Sequence, residues 1–310
     1  MLEKSGKPSF LSVIGPTASG KSSLAFGLAK ALGAELVNCD SVQVYRGFDV
    51  GAAKPSLTER ESVPHHLLDC VAWDEEFDAS KFASMARARI LEINQRGKLA
   101  IVVGGSGLYL RFLWGQSFHE LPSDSKLRAE LNSRDLGELY QQLESLDPQR
   151  AKQLHPRDKF RVTRALEINI LSGKTVAEMT GDVPQKAKFL PVGVIFINRQ
   201  RSELHSRIAK RAETMLEQGL IDEVSSLLAN GCPKNAKPMQ SIGYKQVVEY
   251  LHNHSMEKAE LLERIIVATR RYAKRQLTWY QKVPYDIALE NSEITSSLIE
   301  KIRGLTTKQS

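Results

Sequence analysis

Gly15-Pro16-Thr17-Ala18-Ser19-Gly20-Lys21-Ser22 satisfies the pattern G-x-x-x-x-G-K-[S/T] in full. The pattern constrains the fold through what flanks it. A short apolar run, Ser9 to Ile14, precedes it; Ser22 to Leu32 follows, with Leu24, Leu28 and Leu32 on one helical stripe and Gly33 as a stop. A strand that feeds a glycine-rich turn and then a helix is the setting in which this pattern holds phosphate. The glycines let successive backbone N–H groups face phosphate oxygens, the helix N-terminus adds partial positive charge, Lys21 adds a full one, and Ser22 offers a hydroxyl to Mg²⁺. Residues 15 to 22 are thus candidates for binding a polyphosphate or diphosphate.

The rest of the first 115 residues continues the alternation. Glu35 to Cys39 reads as a second strand, Ala79 to Arg96 as a helix with Phe82, Met85, Ala86, Ile90 and Ile93 inward, and Leu99 to Val103 as a third strand. Strands separated by helices imply a parallel sheet covered on both faces. From about Gln116 to Lys188 the pattern turns to successive helices (Asp124 to Asn132, Gly137 to Leu146, Pro148 to Leu154, Lys159 to Ser172, Thr175 to Met179) without a strand between them, which reads as an all-helical insertion. Leu190 to Asn198 then returns to the sheet as a strand. Helices follow at Arg201 to Gln218, Leu220 to Asn230, Ser241 to Leu251 and Met256 to Val283, and the tail after Ile302 is expected to fray. The expected organisation is a core of residues 1–115 and 189–310 interrupted by an insertion of residues 116–188.

Composition narrows the class. At 310 residues, 42% hydrophobic and 25% charged, the chain suits a folded protein with a sizeable core. Cys39, Cys70 and Cys232 are odd in number and far apart, with no C-x-x-C pair, which fits a reducing cytoplasm. Lys4 and Lys7 precede an apolar stretch too short for a signal peptide, and no run of about 18 apolar residues exists to span a membrane. The net charge of +7 permits an anionic partner without requiring one.

Two features bear on the chemistry. A kinase or nucleotide hydrolase of this architecture presents an acid at the end of a later apolar strand to hold its metal. Here Leu99 to Val103 runs into Gly104-Gly105-Ser106-Gly107-Leu108-Tyr109 with no carboxylate, so the loop suits a phosphate group that leaves. Asp40, in contrast, stands at the carboxyl end of the second strand, the edge at which open α/β sheets bind ligands. It can take a proton from a nucleophile, ligate Mg²⁺, or cap the next turn.

The segments DSVQVYRGFDVGAAKP (40–55), VPHHLLDC (63–70), VVGGSGLYL (102–110), RVTRALEI (161–168), RIAKRAETMLEQGLIDEV (207–224), SIGYKQ (241–246) and TRRYAKRQLTW (269–279), with the phosphate loop, occur in one order. In that order they resemble the bacterial-type tRNA dimethylallyltransferases, also called tRNA isopentenyltransferases or the IPP transferase family. The resemblance implies a P-loop NTPase-like parallel sheet covered by helices. It implies transfer of a dimethylallyl group from dimethylallyl diphosphate to the exocyclic amine of the adenine 3′ to the anticodon, in tRNAs reading codons that begin with U. By this resemblance Asp40 is the general base, and Lys21, the loop amides, Mg²⁺ and Arg211 hold the diphosphate. Ser106 stands where the family usually has Thr and keeps the hydroxyl near the reacting centre. Without the resemblance, Arg211 reads more readily as an exposed helix arginine paired with Glu213 or another acid.

The same resemblance implies that Asp40, Ser41, Val42 and Gln43 contact the target adenine and its neighbours, that Phe160, Arg161, Val162, Thr163 and Arg164 form a second tRNA-contacting stretch, and that Ser106 and Arg128 are further contacts. Phe160 replaces an expected Gln and Ala52 an expected Thr. Charge agrees in its distribution. Arg150, Lys152, Arg157, Lys159, Arg161 and Arg164 face Asp158 alone between 150 and 164, and Arg264, Arg270, Arg271, Lys274, Arg275 and Lys282 lie between 264 and 282 without an acid. Each cluster alone reads as a solvated helix face; two together suit the phosphates of a hairpin stem. Tyr109, Trp114, Tyr244, Trp279 and Tyr280 read as core rather than stacking platforms, and His65, His66, His119 and His155 lack metal-ligand spacing.

The competing readings are an adenylate isopentenyltransferase acting on free nucleotide, a P-loop small-molecule kinase and an RNA-binding switch ATPase. The first needs neither insertion nor basic clusters, the second lacks its acid, and the third leaves the Asp40 segment without a use. A monomer is expected, because a tRNA stem already covers a large surface.

Overall fold

In the computed structural model, residues 9–115, 121–180, 189–253 and 255–307 are described, so Lys4, Lys7 and His119 lie outside the described residues. The chain divides into two compact units, residues 1–113 with 189–310, and residues 114–188.

The first unit is built on strands β1 (Phe10–Ile14), β2 (Glu35–Asn38), β3 (His65–His66), β4 (Ala100–Gly104), β5 (Gly193–Ile197) and β6 (Ile287–Leu289). They form one parallel sheet in the order β3-β2-β4-β1-β5-β6. β1 and β5 are buried at every residue, which is why they read as continuous apolar runs rather than alternating ones. Around the sheet lie α1 (Lys21–Leu32), α2 (Leu57–Ser62), α3 (Ala79–Gln95) and α4 (Gly107–Leu113), and later α10 (Arg201–Glu217), α11 (Leu220–Ala229), α12 (Tyr244–His252), α13 (Lys258–Tyr280) and α14 (Ser296–Thr307). Leu24 and Leu28 of α1 join Leu11, Val13, Ile101, Ile195 and Ile197 in one core. Gly33 closes α1 at φ 63°, its N–H returning to the Ala29 carbonyl.

The second unit carries α5 (Ser125–Ser133), α6 (Leu136–Leu146), α7 (Pro148–Gln153), α8 (Lys159–Ser172) and α9 (Val176–Thr180), with no strand among its described residues. Asp124, Asp135, Asp147 and Asp158 cap the first four, each accepting backbone N–H bonds from the first turn. Leu131, Leu139, Leu143, Ala151, Val162 and Leu166 form its own core.

Three expectations are corrected. The tail does not fray after Ile302: α14 runs to Thr307, and Leu298 and Ile302 are buried in the main core. His65-His66, where no strand is expected, forms an edge strand, with His66 Nε2 at 2.7 Å from Glu35. The last sheet strand, β6, follows the long helix α13 and is joined to β5 through Asp286, whose N–H donates to the Val194 carbonyl while its carboxylate accepts the Val194 N–H.

Candidate active site

The phosphate loop emerges from β1, the sheet's middle region, and ends at Gly20, whose φ of 93° only glycine adopts readily. Three of the loop's carbonyl oxygens are held by cations, one from the loop itself and two from outside it. Lys21 Nζ donates to the Pro16 carbonyl at 3.2 Å, Arg207 Nε to that of Ala18 at 2.8 Å, and Arg199 Nε to that of Ser19 at 2.6 Å. The Thr17 N–H is held by Gln276 and that of Ser19 by the Pro16 carbonyl, and the remaining loop N–H groups are left to face an anion. Arg199 is itself buried and paired with Glu203.

Arg211 of α10 donates to Thr17 Oγ1 at 3.2 Å and makes no ion pair with Glu213 among the described residues. Burial pushes the Lys21 ammonium down to about 8, and the neighbouring Arg211 adds to the shift while Asp40 opposes it. Burial likewise lowers Arg211, again against the pull of Asp40. Two desolvated cations share one nearby carboxylate, an imbalance that an anionic ligand corrects.

Asp40 Oδ1 accepts the backbone N–H of Val42 at 2.8 Å and of Gln43 at 3.3 Å. The turn-capping role is therefore real, yet it uses one oxygen only, and Oδ2 has no hydrogen-bond partner among the described residues. Gln43 Nε2 reaches the carbonyls of Ala52 (3.0 Å) and Ala53 (3.1 Å), fixing the 40–43 turn against the 49–53 loop. That loop is held in turn by Glu223, which accepts the N–H groups of Asp49, Val50 and Gly51, and by the Tyr244 hydroxyl, which accepts that of Ala52. Lys54 supports the same loop through Asp49, Asp69 and the Tyr45 carbonyl.

Thr17, Asp40, Ser41, Val42 and Arg211 line a cavity of about 320 Å³. Its other walls are largely apolar, from Ile208, Ala212, Met215, Ile242 and Ile265, with Tyr272 and Arg275 of α13. Burial pushes the Tyr272 hydroxyl up to about 12, and it shares a hydrogen bond with Ser106. Polar groups gathered at one end of an apolar cavity suit a ligand with a charged head and a hydrocarbon part.

Ser22 is exposed at the start of α1, and its hydroxyl has no partner among the described residues. Those residues contain no group of three His, Cys, Asp or Glu able to hold a metal. Mg²⁺ takes most of its shell from water and phosphate oxygens, so the Ser22 hydroxyl beside phosphate-facing amides is a donor set that fits it. At the end of β4, where a kinase would present its acid, stands Gly104, and a Cβ there would collide with the Cys39 carbonyl.

In the second unit, Phe160 (78% exposed) and Arg161 are at the surface, Arg161 paired with Asp158. Val162 and Thr163 are buried within the unit, so their side chains are unavailable as tRNA contacts, which corrects the reading of 160–164 as one contacting stretch. Arg164 and Arg128 both pair with Glu167, which is fully buried. Glu167 lies outside the 150–164 window, so Arg164, one of the six cations set there against Asp158 alone, has a buried acid as its partner.

Sequence reasoning missed Arg199, Arg207, Tyr272 and Gln276 as site residues, and it placed Arg275 only in a basic cluster for RNA phosphates, whereas Arg275 lines the cavity. One signal was available for Gln276: it occupies a core position on the α13 stripe between Ala273 and Tyr280, where a polar side chain needs a buried partner.

A family model described as IPP transferase matches residues 43–283. The tRNA dimethylallyltransferase of Syntrophobacter fumaroxidans is 43% identical over 281 residues, 88% of this chain and 80% of that one. That of Geobacter metallireducens is 39% identical over 313 residues, 98% of this chain and 99% of its own. Among solved structures, the full-length tRNA isopentenylpyrophosphate transferase of Bacillus halodurans superposes with a TM-score of 0.70 at 34% identity, covering 98% of both chains. A eukaryotic dimethylallyltransferase acting on tRNA superposes with a TM-score of 0.73 at 31% identity, covering 96% of this chain and 72% of that one. Matches of this extent, on a chain that gathers its phosphate loop, Asp40 and Arg211 about one cavity, show that the chain belongs to the IPP transferase family and is a prenyltransferase.

Proposed function

We propose that the protein transfers the dimethylallyl group of dimethylallyl diphosphate to N6 of the adenine 3′-adjacent to the anticodon, in tRNAs that read codons beginning with U. The observation that carries this reading is the pair of desolvated cations, Lys21 and Arg211, set against the single carboxylate of Asp40 beside an apolar cavity. The C–O bond from the allylic carbon to diphosphate breaks, the bond from N6 to that carbon forms, and the N6 proton passes to Asp40. The loop amides, Lys21 and Arg211 stabilise the charge that develops on the leaving diphosphate. Asp40, held through Oδ1, keeps Oδ2 available to orient the amine and take its proton. The Ser22 hydroxyl would hold Mg²⁺, and the ion would add neutralisation of the leaving group's charge.

The insertion serves tRNA binding in this reading. Phe160 and Arg161 are its surface contacts, and Arg128 and Arg164 act chiefly as counter-ions of Glu167. Ser106 bonds Tyr272, which lines the cavity, and in this reading its hydroxyl serves the reacting centre. The protein works as a monomer in the cytoplasm, a placement supported by its three unpaired cysteines; among the described residues no helix is long and apolar enough to cross a membrane.

The deciding experiment supplies labelled dimethylallyl diphosphate and Mg²⁺ with either an anticodon stem-loop or free AMP. Label in the stem-loop alone is expected. Label in AMP alone selects the free-nucleotide enzyme, and γ-phosphate transfer from ATP with no label in RNA overturns prenyl transfer.

A further inference from the structure

Gln276 joins two parts of the site that come from distant parts of the chain. Its Oε1 accepts the backbone N–H of Thr17 at 2.8 Å, and its Nε2 donates to the Gly105 carbonyl at 2.8 Å. The partners fix the orientation of the amide, since one is a donor only and the other an acceptor only. The side chain is 7% exposed, so both bonds are shielded from water that would otherwise replace them.

The surroundings are shaped to this one side chain. A Cβ at position 105 would lie 2.5 Å from Nε2, so any other residue at the second position of the Gly104-Gly105-Ser106 turn would push the Gln276 amide from its place. The same imaginary carbon would stand 3.5 Å from Lys21 Nζ and from the Gly15 carbonyl, which sets the bridge beside the phosphate-facing lysine. One turn to either side on α13, Tyr272 bonds Ser106 and Tyr280 hydroxyl reaches the Gly104 carbonyl at 3.5 Å. The helix thus follows the 104–106 turn and meets the phosphate loop at two points, through Tyr280 at the Gly15 backbone and through Gln276 at Thr17, and Gln276 is the one that spans from loop to turn with both ends of its amide.

We infer that Gln276 is a positioning residue for group transfer: it sets the distance between the phosphate loop, which holds the leaving group, and the Gly105-Ser106 turn, which borders the reacting centre. This inference rests on the proposed function. It follows from the geometry that Gln276 acts on the chemical step, because a loop free to drift from the turn still binds diphosphate but presents the allylic carbon off line. A neutral carboxylic acid can reproduce the bridge, its C=O accepting from Thr17 and its O–H donating to Gly105. A carboxylate can accept only, and it sets an oxygen against the Gly105 carbonyl.

The test compares wild type, Gln276→Met and Gln276→Glu in labelled transfer to the stem-loop between pH 6 and 8.5. Gln276→Met is expected to lower kcat about tenfold to a hundredfold with KM for dimethylallyl diphosphate within about threefold, its rate relative to wild type staying flat with pH. Gln276→Glu is expected to regain rate relative to wild type as pH falls. A kcat unchanged in Gln276→Met, a raised KM as its sole effect, or a flat relative profile for Gln276→Glu would each overturn the inference. If Gln276→Met does not fold, the pH profile of Gln276→Glu decides alone. Hydrogen exchange of residues 15–20 and 104–109 gives a readout independent of any reaction: both segments should exchange faster in Gln276→Met, and an unchanged rate in either disproves the bridge. Absence of transfer by the wild type would count against the proposed function, and the exchange result would still judge Gln276.

Discussion

Asp40 and Val42 form a short closed turn in which the carboxylate Oδ1 accepts the Val42 N–H at 2.8 Å, leaving Oδ2 without a partner among the described residues. The carboxylate is therefore oriented before any ligand arrives. Asp40→Asn keeps an oxygen for the Val42 amide but removes the base, so kcat should fall by about 10² or more while stem-loop affinity stays within about twofold. Asp40→Ala loses the turn bond as well and should fall at least as far. Single-turnover transfer with separately measured RNA binding checks both, and an unchanged rate in the Asn variant would remove Asp40 from proton transfer.

Lys21 makes the diphosphate site sensitive to pH. Burial and the Arg211 charge put its ammonium at about 8 in the free protein, whereas a bound anion favours the charged form and raises that value. Binding therefore takes up a proton above pH 8 and not below it. Affinity for inorganic diphosphate should be level below pH 8 and weaken above it, by at most about tenfold per unit. Lys21→Arg stays charged throughout, so the ratio of the two dissociation constants cancels the ligand's own titration. Calorimetric titrations from pH 6.5 to 9.5 should show that ratio bending near 8; a constant ratio contradicts the argument.

Two arginines of the insertion separate binding from stability. Burial opposes ionisation of Glu167, yet hydrogen bonds from Arg128, Arg164 and the Asp124 N–H hold its carboxyl below the usual range. Arg164→Ala leaves that buried carboxylate under-compensated and should destabilise the insertion by about 1–3 kcal/mol in urea unfolding. Arg161→Ala breaks only a surface pair with Asp158 and should change stability by less than about 0.5 kcal/mol. Its effect should instead be weaker stem-loop binding at low salt and a salt slope shallower by about one.

Glu35 governs acid stability. Burial raises its carboxyl, but hydrogen bonds from His66, Lys98 and Arg96 outweigh burial and leave it at about 2, against 4.5 for the free side chain. A group depressed in the folded state stabilises above the unfolded value and loses that contribution as pH falls from 4.5 through about 2. The contribution at neutral pH is about 3 kcal/mol. Glu35→Gln should lower the urea midpoint at pH 7 and show a smaller loss between pH 4.5 and 2 than the wild type.

What could be read from residues alone followed the range of the interaction. The phosphate loop is local, since its glycines, lysine and flanking strand and helix are contiguous, and α8 runs from Lys159 to Ser172 in both sequence pattern and structure. Asp40 was legible because one rule, that α/β sheets bind ligands at their carboxyl edge, needs only the end of a strand. β3 was not, because two histidines have no strand preference and are held there by pairing with Leu36 and Val37 and by Glu35. The backbone groups that Arg199, Arg207 and Gln276 bond in the loop and turn lie more than 170 residues away, and backbone groups leave no mark in a sequence. The burial of Val162 and Thr163 was legible in principle, since they fall on the apolar stripe of α8 with Ala165 and Leu166.

Gly104 carries a consequence for how this scaffold can diverge. The sheet edge leaves no room for any side chain there, because the Cys39 carbonyl occupies the space a Cβ would need. A metal-holding acid of the kind used in phosphoryl transfer therefore cannot be gained at this position by one codon change. It would require β2 and β4 to separate first, which disturbs Cys39 and with it the backbone that leads into Asp40. The two chemistries are divided by a backbone contact, and a library that randomises position 104 should return glycine alone among active clones.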